Sequence, residues 1–184
     1  MSGHSKWSKI KRQKSVSDAA KSRVFSRFAQ LIALESKKSG GDVTAPGLAG
    51  AIARAKAADM PKENIERAVT KGTSKESSLL EEVVYEAYGP SGVAIMVRAL
   101  TDNKNRTTQE IKHLLSKKGV QLAAPGAASW AFTKSTEEYV PNDPKVSVAE
   151  DTETALVDIL EGLDEHADVQ AVFTNADGYE NTGD

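Results

Sequence analysis

The chain has 184 residues, with 24 Lys plus Arg against 26 Asp plus Glu, 39% apolar residues and no Cys. This is the make-up of a globular protein with room for one large or two small domains. The absence of Cys excludes disulfides, thiolate metal sites and cysteine nucleophiles, and fits a reducing compartment. His4, His113 and His166 are far apart and show no metal-ligand spacing.

No apolar stretch approaches the ~20 residues of a membrane helix, and the polar opening MSGHSKWSKIKRQK has no signal-peptide core. A cytoplasmic protein with no membrane partner is expected. The net charge of −2 conceals two opposed halves: residues 1–75 carry 16 bases and 6 acids, residues 76–184 carry 8 and 20. Lys6, Lys9, Lys11, Arg12 and Lys14 fall within nine positions, a footprint for a polyanion. From Ser135 onward 14 carboxylates face a single base, Lys145, and such a surface repels phosphates.

Residues 1–16 have neither helical nor strand periodicity and read as a flexible basic arm. Ser17-Asp18 can start a helix, whose apolar stripe is Val24, Phe25, Phe28, Leu31 and Ile32 and whose end is Gly40-Gly41. A second helix is expected from Pro46, capped by Thr44 and burying Leu48, Ile52 and Ala55. Met60-Pro61 breaks it, and Pro61 suits the first turn of a third helix carrying Ile65, Ala68 and Val69 and stopping at Gly72. Residues 17–75 therefore form a basic three-helix domain, followed by a polar linker, Thr73 to Ser78.

A second domain is expected over 79–176. Val83, Val84 and Tyr85, the turn Gly89-Pro90-Ser91-Gly92 and the run Val93 to Leu100 predict a β-hairpin. Thr107 and Glu110 form a capping box for a helix with Ile111, Leu114 and Leu115 inward, ending at Gly119. A strand over Ser129 to Thr133 would point Trp130 and Phe132 to one side, with Trp130 in the core. After a loop bracketed by Pro141 and Pro144 come a short strand at Val146 to Val148, a helix with Leu156, Ile159, Leu160 and Leu163 on one face, and a strand from Val169 to Phe173. The fold class is α+β: three basic helices, then an α/β sandwich with its helices on one side of the sheet. Residues 177–184 read as a frayed tail.

No nucleophile–base pair, pocket carboxylate pair or phosphate-cradling loop stands at useful spacing, so no catalysis, cofactor or small-molecule substrate is expected. Lys71-Gly72-Thr73-Ser74-Lys75 has phosphate-loop residue types but follows a helix and lacks the upstream glycine. Glu81, Glu82 and Glu86 read as a solvated sheet edge, and His113 as a partly exposed helix residue. Between Thr101 and Thr107, the side chains of Asn103, Lys104, Asn105 and Arg106 lie where a helix N-terminus favours an anion. Two compatible readings stand there: docking of a phosphate, or capping of the loop's own backbone. Trp7 likewise could stack on an unpaired base or cover the helical domain. The candidate nucleic-acid contacts are His4, Lys6, Trp7, Lys9, Lys11, Arg12, Lys14, Lys21, Arg23 and Arg27.

Five separated blocks, Gly3 to Trp7 with Ile10-Lys11, Met60 to Ala68, Tyr88 to Val93, Leu100 to Thr107, and Asp168 to Gln170 with Thr174-Asn175, resemble the YebC/PmpR family. That family also includes the mitochondrial translational activator of cytochrome oxidase subunit one. The resemblance implies a basic helical domain joined to a ferredoxin-like α+β domain. Members usually carry an inserted small α/β subdomain near residues 133–139, where this chain has only a short connection. The resemblance further implies either a DNA-binding transcriptional regulator or a ribosome-associated factor, bound to ribosomal RNA, that relieves stalling at consecutive prolines. A protein-interaction module, with the acidic domain docking a basic partner, is the remaining reading of the charges.

Overall fold

The computed structural model describes residues 18–136 and 138–179. Helix α1 (Asp18–Ser39) starts with Asp18 and ends with Lys37 and Lys38, which places charges favourably at both ends of the helix dipole. It stops at Gly40 and Gly41, both at positive φ, and the Gly41 N–H closes onto the Ser36 carbonyl at 2.9 Å. Helix α2 (Pro46–Ala57) follows. Its N-cap is Ala45, not Thr44 as expected; the Thr44 hydroxyl instead donates to Asp42 Oδ1 at 2.6 Å in a turn stabilised by the aspartate.

Helix α3 (Lys62–Thr73) begins after Pro61 and runs through Gly72. Gly72 is therefore not a helix stop. It is buried where α3 meets α1, and a Cβ there would come within 2.5 Å of the Ala33 carbonyl and the Ser36 Cβ. The Ser36 hydroxyl donates to the Val69 carbonyl at 2.7 Å across the same contact. Ile32, Leu48, Ala51, Ala55, Met60, Ile65 and Ala68 form the small core of this unit.

Strands β1 (Glu81–Tyr88) and β2 (Ala94–Thr101) pair antiparallel from Glu81 opposite Thr101 to Tyr88 opposite Ala94. The turn between them uses Ser91 and Gly92 at positive φ. Helix α4 (Lys104–Lys117) leads to a long connection and a small hairpin of β3 (Phe132–Lys134) and β4 (Tyr139–Pro141). Helix α5 (Glu150–Asp164) returns the chain to β5 (Val169–Thr174), which pairs with the other edge of β2, so the sheet order is β1-β2-β5.

Side chains alternate across this sheet. Val83, Tyr85, Ala87, Ile95, Val97 and Ala99 face α4 and α5 and meet Ile111, Leu115, Leu156 and Leu160. The domain's two main helices thus lie on one face, as expected. The opposite face is covered as well: Met96, Ala171 and Phe173 pack under Ala131, Phe132 and Tyr139, and Leu100 packs with Leu34 of α1.

Several expectations are corrected. The cap of α4 is Asn103, whose Oδ1 accepts the Arg106 N–H at 3.0 Å; Thr107 is buried one turn later. Residues Ser129–Ala131 form a 3-10 turn, and Trp130 is 68% exposed, not in the core, because the strand begins only at Phe132. Val146 makes one isolated parallel bridge to Ala176 in place of a strand. Ala176 and Tyr179 are buried, and the Tyr179 hydroxyl donates to Glu153, so the tail is packed as far as residue 179. Glu86 is buried at 7% exposure, not solvated.

Candidate nucleic-acid interface

Seven of the candidate contacts, His4, Lys6, Trp7, Lys9, Lys11, Arg12 and Lys14, lie outside the described residues. Within α1, Lys21 is exposed and Arg23 half-buried. Arg27 is used internally: its guanidinium meets the Asp164 carboxylate at 3.3 Å and also donates to the Asp164 carbonyl. It ties α1 to the end of α5. Over residues 18–75 eleven bases outnumber six acids, and Lys21, Lys37, Lys38, Lys56, Lys62, Arg67, Lys71 and Lys75 are all exposed.

The loop before α4 was expected to hold an anion or to cap itself. Asn103 caps the helix, while Lys104 and Asn105 are exposed. Arg106 turns back: its Nη2 lies 3.0 Å from Asp168 Oδ2 and 3.2 Å from Asp102 Oδ1. Its hydrogen bond to Asp168 raises its already high pKa. Burial pushes the Asp168 carboxyl up, but hydrogen bonds from Thr107 and Arg106 outweigh that and hold it below the usual carboxylate range.

Asp168 is the centre of a joint between the domains. The Thr107 hydroxyl donates to its Oδ2 at 2.7 Å, and Gln30 of α1 donates to its Oδ1 at 3.3 Å. Gln170 then donates to Gln30 Oε1 at 2.9 Å. The Asp168 N–H donates to His166 Nδ1 at 3.2 Å, which makes that nitrogen an acceptor and leaves Nε2 to meet Glu110 Oε2 at 3.0 Å. Ligand atoms of Glu110, His166 and Asp168 lie within 4.8 Å of one another. The Arg106 guanidinium bonded into this group does not suit a cation, and the bonds just described make the arrangement a structural clasp.

Between α1, the sheet and the small hairpin runs a cleft of about 240 Å³. Lys38, Arg98 and Lys134 line it with Glu35, Glu82 and Tyr139. Sequence reasoning missed this group, although a lone arginine in the otherwise apolar run Val93 to Leu100 was a visible signal. It also missed the role of Gln30, whose partners are more than 130 residues away. Among the described residues no helix is long and apolar enough to cross a membrane.

Comparison with known proteins bears on the whole chain. Residues 5–75 match the TACO1/YebC protein N-terminal domain, and residues 80–137 match the TACO1/YebC second and third domain. A "probable transcriptional regulatory protein" of Pseudothermotoga lettingae is 43% identical over 96% of this chain and 71% of its own length. One of the same description from Thermotoga petrophila is 47% identical over 78% of this chain, but the match spans only 57% of that protein. A crystal structure described as a conserved hypothetical protein, Aq1575, from Aquifex aeolicus superposes with a TM-score of 0.79 at 30% identity, over 87% of this chain and 91% of that one. With both family domains matched in order and relatives above 40% identity, the chain belongs to the TACO1/YebC family, and the two bacterial relatives above are named as probable transcriptional regulatory proteins.

Proposed function

We infer that the protein is a non-catalytic regulator of gene expression that works by binding nucleic acid, with DNA as its target; the relatives' names, probable transcriptional regulatory proteins, support the regulatory part of this reading. The observation that carries this reading is the segregation of charge: cations concentrate in residues 1–75 and carboxylates in the remainder. Phosphates are drawn to the first part and repelled by the second, which orients the molecule on a polyanion. The arm, with Lys6, Lys9, Lys11, Arg12 and Lys14, supplies most of the contacts, and Lys21 and Arg23 extend them along α1. Arg27, held by Asp164, contributes little.

A second reading, a factor bound to ribosomal RNA and so to the ribosome, is favoured by the outer face of α3. Helices α2 and α3 are joined by four residues, a length suited to a helix-turn-helix, but α3 exposes Glu63 and Glu66 among its cations. Carboxylates there oppose insertion into a DNA groove. Crosslinking the protein in cells and sequencing the attached nucleic acid separates the two: promoter DNA supports the first, ribosomal RNA the second. Replacing Lys9, Lys11 and Arg12 together by Ala should abolish recovery of either; undiminished recovery would refute the arm as the grip.

A further inference from the structure

Trp130 is the most exposed of the large apolar side chains among the described residues, at 68%. Its surroundings are nevertheless tightly built. The Glu86 carboxylate accepts the N–H groups of Gly126, Ala128 and Ser129 at 2.7, 2.6 and 3.0 Å. Asn142 donates its side-chain amide to the Trp130 carbonyl at 3.1 Å and its own N–H to the Ala131 carbonyl at 2.8 Å. The indole Nε1–H donates to the Tyr88 hydroxyl at 2.7 Å, and that hydroxyl donates onward to the Ala127 carbonyl.

Placing a carboxylate at 7% exposure beneath a loop is costly unless its bonds are made, and here they fix the backbone that carries an exposed ring. The ring's one polar atom is already engaged. What it has left to offer is an aromatic surface, held in place before any partner arrives.

A stable protein interface buries about 800 Å² on each side, whereas among the described residues the exposed large apolar side chain bonded to this ring is Tyr88, at 38%. A single fixed aromatic surface instead matches the face of one base. The hairpin that follows the ring carries Lys134, which lines the cleft with Lys38, Arg98, Glu35 and Glu82.

We propose that Trp130 is a stacking platform for an unpaired base of single-stranded nucleic acid. The inference rests on the nucleic-acid reading above and adds a second point of grip, distant in sequence from the basic arm. Recognition by stacking is tolerant of base identity, because every base offers an aromatic face.

The test uses the intact protein, a short labelled oligouridine and an abasic oligomer of equal length, with affinities read by fluorescence anisotropy. Wild type should prefer oligouridine. Trp130→Ala should lose about tenfold on oligouridine and nothing on the abasic oligomer, while Trp130→Phe keeps most of the preference. The salt dependence should be unchanged in both variants, since no phosphate contact is removed. Equal affinities of wild type and Trp130→Ala for oligouridine would overturn the platform. So would a Trp130→Ala variant whose only change is loss of self-association in sedimentation. If the Lys9, Lys11 and Arg12 triple variant loses both oligomers while Trp130→Ala binds normally, the function stands and the platform falls. Wild type binding neither oligomer nor duplex would remove both.

Discussion

Two buried carboxylates show how a single residue can hold a loop. Asp168 joins Arg106, Thr107 and Gln30, so Asp168→Asn should destabilise the fold by about 1–2 kcal/mol, measured by denaturant unfolding. The pH dependence has a definite sign. A carboxyl whose folded pKa lies below the unfolded value, about 3.9, gives stability that is fully present above that value. It is lost as pH falls through the lower folded one. The Asn variant should therefore lose part of the wild-type protein's decline below about pH 4, and an unchanged acid limb would show that Asp168 is not its source. Glu86→Ala strands three N–H groups, two of them on the 3-10 turn's approach, and should cost about 3 kcal/mol while increasing hydrogen exchange at Gly126, Ala128 and Ser129.

Among the elements, α1 has the most demanding position, since it packs on α3 on one side and reaches the sheet domain on the other. Gly72 permits the first contact. Gly72→Ala would force a methyl against the Ala33 carbonyl and Ser36 and should lower stability by about 2 kcal/mol, seen as a reduced melting temperature. Arg27 and Gln30 secure the second contact with Asp164, Asp168 and Gln170. Arg27→Ala should loosen the joint, shown by faster proteolysis between the domains, yet leave nucleic-acid affinity within about twofold, because a charge already paired with a carboxylate releases few counterions. Lys21→Ala should weaken binding more than Arg27→Ala does.

For the whole molecule the governing quantity is the distribution of charge. If about six phosphates of duplex DNA are engaged, the logarithm of affinity should fall with the logarithm of salt concentration at a slope near −5. Removing residues 1–16 should leave the melting temperature unchanged and abolish binding. A large fall in stability with binding intact would instead favour an arm folded onto its own acidic domain, as a protein-interaction module requires.

The sequence by itself determined the helices and the main strands, because periodicity, glycine stops and turn residues act over a few neighbours. The stripe Leu156, Ile159, Leu160 and Leu163 and the turn at 89–92 are cases where local rules sufficed. It also determined the charge split, which is a property of composition. Tertiary structure alone decided which polar groups stay available. Arg27 read as a nucleic-acid contact and Glu86 as a solvated charge, yet Asp164 claims the first and three loop N–H groups the second, from positions 137 and about 40 residues away. Thr107, read as a helix cap, is claimed by Asp168, and Asn103 takes the cap in its place. Trp130 went the other way, from expected core to exposed ring, because the chain enters its strand one turn later than alternation implied. Hydrogen-bond partners brought together only by folding leave no periodic trace in the sequence, so their choice is visible only once the chain has closed on itself.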